Sequence, residues 1–153
     1  MRVIVRSQDH IPPHVHAINE ADGWEARFSF SFLCNTVELF SLEQTTKGKP
    51  SQSDLEDILL NIQKDIVFYR SEWIRKNPDA GLNYKNKTFH KDRKGKVIIK
   101  KGIIKMKSKK NYNNVKILTI LKEQYQSDCV ILTLSNGETV SLKSDDGHKE
   151  DFS

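Results

Sequence analysis

The sequence predicts an α+β fold in which a small antiparallel β-sheet packs on one long helix, followed by a smaller, β-hairpin-rich C-terminal segment. Three observations predict it. Trp24 to Phe32 alternates, with Trp24, Ala26, Phe28, Phe30 and Phe32 on one side and Glu25, Arg27, Ser29 and Ser31 on the other, the period of a half-buried strand. Leu55, Leu59, Ile62, Ile66, Tyr69 and Trp73 recur three and four residues apart, which is helical spacing. Cys129 to Leu134 and Thr139 to Leu142 flank Asn136-Gly137, a pair that tolerates the positive φ angles of a type I′ hairpin turn.

In chain order, residues 1–6 read as a short strand rich in Val and Ile. Pro12-Pro13 then forbids helix, and 14–19 resumes as a strand. Glu20 to Gly23 is a turn, 24–32 a strand and 36–40 a further strand, so an antiparallel meander is the simplest arrangement. Lys47 to Ser51 breaks the pattern. Ser53 with Glu56 three residues on reads as a capping box, and Asn77-Pro78 stops the helix that follows. Leu60, Val67 and Ile74 widen its apolar face. Residues 79–95 lack periodicity. Val97 to Met106 is β-prone, with Gly102 as a turn or bulge, and 115–121 is a strand. The expected organisation is a histidine-bearing α+β domain over 1–80, a connector over 81–95, a basic β segment and hairpin over 96–145, and a flexible acidic tail over 146–153.

With 37% hydrophobic and 29% charged residues among 153, the chain supports a lean core. No signal peptide is visible and no apolar run reaches the roughly 18 residues of a membrane span, so the expected location is cytoplasmic, without membrane contact. Cys34 and Cys129 each sit in an apolar run and read as buried thiols. The charge is uneven. Twelve bases and one acid lie between Lys85 and Lys110, leaving thirteen bases and nineteen acids elsewhere. Lysines interleaved with Ile98, Ile99, Ile103, Ile104 and Met106 suit a β element with a cationic face. Lys94, Lys96, Lys100, Lys101, Lys105 and Lys107 are its candidate phosphate contacts, with RNA or a ribosomal surface as partner. An acidic protein partner and an ordinary solvated face are the other readings.

Chemistry concentrates in Asp9-His10-Ile11-Pro12-Pro13-His14-Val15-His16. In an extended chain His14 and His16 share a face, and the prolines stiffen the approach. Three readings stand side by side. His10, His14 and His16 hold a divalent metal such as Zn²⁺. Alternatively His10, His14 and His16, with Asp9 orienting a ring, serve as acid–base catalysts in RNA transesterification. In the third, the rings fix the loop by hydrogen bonding to backbone. Arg6, Glu25 and Arg27 are possible helpers on neighbouring strands, and Arg6 or Arg27 suits bidentate phosphate binding. No phosphate-binding Gly loop, serine-hydrolase elbow, H-E-x-x-H or C-x-x-C pair is present, which argues against nucleotide hydrolases, serine hydrolases and common zinc proteases.

The pattern Asp9, His10, Pro12, Pro13, His14, His16 resembles that of a family of small bacterial domains of unknown function marked by D-H-x-P-P-H-x-H. The resemblance covers roughly residues 1–80, and the layout of short strands before a helix ending near a Trp, here Trp73, is similar. Members are often encoded beside a small companion protein in a toxin–antitoxin-like pair. The resemblance therefore implies a toxin-like or regulatory component directed at RNA or translation, with a companion protein as a second partner. The reading that competes with it is a non-enzymatic protein-binding module in which the histidine–proline loop is structural.

Overall fold

A computed structural model describes residues 1–45, 47–102 and 117–153. It is dominated by β structure, 41% strand against 17% helix, in two sheets with a pair of short helices. The expected small sheet on one long helix is thereby corrected. The first sheet is an antiparallel run of β1 (Arg2–Ile4), β2 (His14–Asn19), β3 (Trp24–Phe30) and β4 (Val37–Gln44), in that spatial order. The helices follow as α1 (Gln52–Lys64) and α2 (Ile66–Lys76). The second sheet comprises β5 (Thr88–Lys91), β6 (Val97–Lys100), β7 (Leu118–Gln126), β8 (Cys129–Leu134), β9 (Thr139–Lys143) and β10 (Lys149–Asp151). Its spatial order is β10-β6-β5-β7-β8-β9, with β10 parallel to β6.

The long helix is interrupted at Asp65, whose φ of −108° and ψ of 26° leave the helical region. Aspartate competes for backbone hydrogen bonds and is a poor helix-interior residue; here it closes α1 and opens α2. The 3.6-residue rhythm survives the single break, which is why the sequence reads as one helix. The buried stripe is Ile58, Ile62, Ile66, Arg70 and Trp73, with Leu55, Leu59, Tyr69 and Ile74 packed half-buried against the core beside it, so the expected stripe packs inward and Ile58 and Arg70 join it. Leu60 and Val67 are exposed. The capping box is formed by Ser51 and Asp54 rather than Ser53 and Glu56.

Two further expectations change. The region expected to connect carries β5, and the acidic tail carries β10. Both strands are short and polar, and their pairing with β6 supplies what their sequence does not. At the C-terminal hairpin only Gly137 takes positive φ, so Asn136-Gly137 closes a three-residue loop rather than a type I′ turn. Cys34 and Cys129 are free and half-buried. Ile103, Ile104, Lys105, Met106, Lys107 and residues 115–116 lie outside the described residues.

The two sheets meet at the buried β3–β4 turn. Phe32 and Leu33 are fully buried, so the turn's polar backbone must find partners inside the protein. Arg70, itself fully buried, donates from Nε to the Ser31 carbonyl and from Nη2 to the Cys34 carbonyl, both at 2.9 Å. Its other edge faces Asp128 and Asp145, each at 3.4 Å. Ser144 donates to the Phe32 carbonyl at 2.6 Å, and the Leu33 carbonyl accepts from Asp145 N–H at 2.9 Å. The Phe32 N–H donates to the Tyr84 hydroxyl, which in turn donates to Glu150. Ser31 Oγ accepts from the N–H groups of Leu33 and Cys34 and donates to Glu150 at 2.8 Å.

Arg70→Ala would leave two buried carbonyls unpaired, so a loss of about 3 kcal/mol or more is expected in denaturant unfolding. Arg70→Lys should recover little of it, because an ammonium cannot span two carbonyls as the planar fork does. An unchanged midpoint in Arg70→Ala would contradict this role.

Burial pushes the Glu150 carboxyl above its usual range, against the opposing hydrogen bonds from Tyr84 and Ser31. A raised folded-state value means that its favourable contribution is complete below the unfolded-state value and is lost as pH rises through the folded one. The Glu150 contribution should therefore decline as pH rises from 4 toward neutrality, so the wild type should lose stability relative to Glu150→Gln, which keeps an acceptor for Tyr84, over that range. Parallel thermal-unfolding profiles for the two proteins would contradict it.

Candidate functional site

The alternation of β2 decides where its side chains go. Val15 and Ala17 enter the core beside Phe28 and Ala26, their cross-strand partners. His14 and His16 therefore take the opposite face, together with Glu25, Arg27 and Ser29 of β3. That face is closed over the histidines, which are 0% and 2% exposed. His14 packs against Trp73 of α2, with ring centroids 5.6 Å apart, and against the edge of Phe40, at 5.1 Å. Phe40 reaches it because β4 carries an extra residue there. Arg27 pairs with Ser41 and Phe28 with Leu39, so Phe40 is the bulged position.

Asp9 comes from the β1–β2 loop and is held by the end of α2. Asn77, 4% exposed, accepts the Asp9 N–H at 2.7 Å and donates to the Arg6 carbonyl at 2.9 Å. Its amide thus pairs with the loop as a neighbouring peptide would. Lys76 adds a bond to the Val5 carbonyl at 2.8 Å. The Asp9 carboxylate is thereby placed with Oδ2 2.9 Å from His14 Nε2 and 2.7 Å from His16 Nε2.

The far nitrogen of His14 fixes what its contact with Asp9 means. His14 Nδ1 lies 2.7 Å from the Pro12 carbonyl oxygen, which can only accept, so the proton belongs on Nδ1. His16 Nδ1 lies 3.1 Å from Glu25 Oε1, another acceptor. His16 thus meets a carboxylate at each nitrogen, the shorter contact being Nε2 to Asp9 at 2.7 Å, and donates there; the Nε2 lone pair of His14 faces the same oxygen. The short approach from His14 is consequently no hydrogen bond, and its Nε2 is a buried nitrogen without a hydrogen-bond partner. Asp9 Oδ2 and the two Nε2 atoms converge on one point, where the His16 proton sits or a cation can replace it. Burial, with the neighbouring His16 and His10, lowers the His14 pKa against the Pro12 bond and Asp9, which favours the neutral ring. Burial works against ionisation of Asp9, yet the hydrogen bonds from the His16 ring and the His10 N–H, with the pull of any charge on the two buried rings, outweigh it and hold Asp9 below its usual value.

Asp9, His14 and His16 offer ligand atoms all within 4.8 Å of one another. Two imidazoles and a carboxylate suit Zn²⁺ or another borderline divalent ion with coordination positions left open. Nδ1 bonds to a carbonyl and a carboxylate are the outer contacts that orient metal-binding histidines. His10 stands apart: its side chain is exposed, its Nδ1 faces the Ile11 carbonyl at 3.1 Å, and its ring stacks 5.3 Å from His14. The expected three-histidine set is not brought together: the loop turns His10 outward and Asp9 inward, so the group that could hold a metal is Asp9, His14 and His16.

The other expected site residues are dispersed. Arg6 is paired with Glu25 at 2.8 Å. Arg27 lies on the histidine face opposite His16. Lys94, Lys100 and Lys101 are exposed on or beside the β5–β6 hairpin, and Lys96 faces Asp146 at 3.9 Å. Lys105 and Lys107 lie outside the described residues. Asn77 had signalled only a helix stop, since nothing local ties it to a loop 68 residues away. No family model matches the chain, and no curated protein or solved structure matches it either.

Asp9→Asn and His14→Ala should each abolish stoichiometric Zn²⁺ uptake. Asn77→Ala should weaken it by about 10- to 100-fold through loss of the outer contact. Competition with a chromophoric chelator measures all three, and wild-type affinity in Asp9→Asn would eliminate the ligand assignment.

Proposed function

We propose that the chain is a divalent-metal-binding protein whose Asp9–His14–His16 centre acts on RNA, as a toxin-like or regulatory member of a two-protein system in the cytoplasm. The observation that carries the reading is the convergence of His14 Nε2, His16 Nε2 and one Asp9 carboxylate oxygen, with His14 Nδ1 committed to the Pro12 carbonyl. A metal bound there supplies a Lewis acid and an activated water. The chain's own residues hold the ligands in their tautomers, and Trp73 and Phe40 keep one side dry.

The RNA part of the reading is supported by charge. Lys91, Arg93, Lys94, Lys100 and Lys101 are exposed on or beside one hairpin, and such groups hold a phosphate backbone without reading bases. The resemblance of Asp9 to His16 to a family encoded in toxin–antitoxin-like pairs supports a small companion protein as a further partner. No described helix is long and apolar enough to cross a membrane.

Elemental analysis of the purified protein should find about one divalent ion per chain, and adding Zn²⁺ to stripped protein should raise its melting temperature. Induced expression should slow bacterial growth and degrade RNA for the wild type and not for a His14→Ala/His16→Ala double variant. Equal, harmless expression of both with intact RNA would end the RNA-directed reading. Absence of metal, with no thermal shift on adding Zn²⁺, Mn²⁺ or Ni²⁺, would return the histidines to a structural role in a protein-binding module.

A further inference from the structure

The sheet register extends the site sideways from the metal ligands. His16 stands opposite Arg27 and Arg27 opposite Ser41. Directly opposed residues share a face, with Cβ atoms about 5 Å apart. The three side chains therefore form a row across β2, β3 and β4, beginning at a proposed metal ligand.

Two members of that row have unmet bonding capacity. Arg27 Nε and Ser41 Oγ are shielded from solvent and have no hydrogen-bond partner. Burying a polar group without a partner is unfavourable, so such atoms in a folded protein call for an explanation. The remaining contact of Arg27 is slight: its Nη2 lies 3.5 Å from Glu43, whose side chain is 68% exposed, a pair of the weak surface kind. Arg6 offers the contrast. It too lies beside the site, but its guanidinium is engaged with Glu25 at 2.8 Å. Of the two arginines only Arg27 has a buried donor without a partner among the described residues.

We infer that Arg27 and Ser41 form an oxyanion subsite that receives the phosphoryl group of a phosphate ester beside the metal centre. The inference rests on the metal reading above for what the neighbouring centre does, and on the chain's own orphaned donors for the subsite. A guanidinium edge presents two parallel N–H groups matched to two phosphoryl oxygens, and the serine hydroxyl adds a third donor. Glu43, being mostly in water, can turn away to admit the anion. Phe40, next to Ser41 and 40% exposed, gives the organic part of the ester an aromatic flank.

The test is calorimetric titration of the full chain with phenyl phosphate, with and without one equivalent of Zn²⁺. Benzoate and inorganic phosphate serve as the carboxylate and non-ester arms. Wild type should prefer phenyl phosphate and bind it more tightly with Zn²⁺. Arg27→Gln should weaken binding by about tenfold or more, and Ser41→Ala by a smaller factor, since the charge-assisted bonds are the stronger ones. Zn²⁺ uptake should be unchanged in both. Equal phenyl phosphate affinity in wild type and both variants overturns the subsite, as does a wild type that binds none at millimolar concentration. Phosphate binding that depends on Arg27 in a protein that takes up no Zn²⁺ keeps the subsite and removes the metal reading. Zn²⁺ uptake with phosphate affinity indifferent to Arg27 does the reverse. Ser41→Ala is the conservative variant should Arg27→Gln unfold.

Discussion

The fold depends on a turn that has to be buried. Phe32 and Leu33 cannot be placed in the core without taking the backbone of Ser31 to Cys34 with them. Once that backbone leaves water, each of its polar groups needs a partner of defined geometry. Arg70 from a helix, Ser144 and Glu150 from around the second sheet, and Tyr84 from the segment between meet that demand together. The two sheets are held to each other mainly through polar satisfaction of one loop, with the apolar cluster filling the space around it. A fully buried arginine is tolerated because two carbonyls and two carboxylates surround it.

The same logic builds the site. Strand alternation brings the two histidines to one face, and a helix end brings the aspartate to them. Neither element does both. The chemistry is set a step further out, where the Pro12 carbonyl takes the His14 Nδ1 proton and turns the opposite nitrogen into an acceptor. A different tautomer would make the same three residues an ordinary hydrogen-bonded cluster.

Much of the first sheet was readable because its strands alternate. The limits of β2 follow from the proline pair before it, and those of β3 from its own period. The single long helix was misread because one aspartate breaks the backbone without breaking the rhythm of Ile58, Ile62, Ile66, Arg70 and Trp73. Lys149 to Asp151 has no strand character of its own and becomes one only beside β6. At the site, the motif disclosed the histidines and the aspartate as candidates. Spacing could not disclose that His10 turns away, that Asn77 holds Asp9, or that Ser41 lines up with Arg27. Those facts depend on pairings across 68 residues and across a bulge, which local pattern does not encode.

The bulge at Phe40 has a consequence for how such a site can diverge. One supernumerary residue in β4 places an aromatic ring against His14 and sets the phase at which Ser41 faces Arg27. Losing that residue would let the strand run straight, removing the ring while every ligand and every donor stayed in the sequence. A one-codon deletion in β4 would thus change what flanks His14 without altering a letter of the histidine motif. Descendants of one ancestral site could share D-H-x-P-P-H-x-H letter for letter and still differ in what they accept.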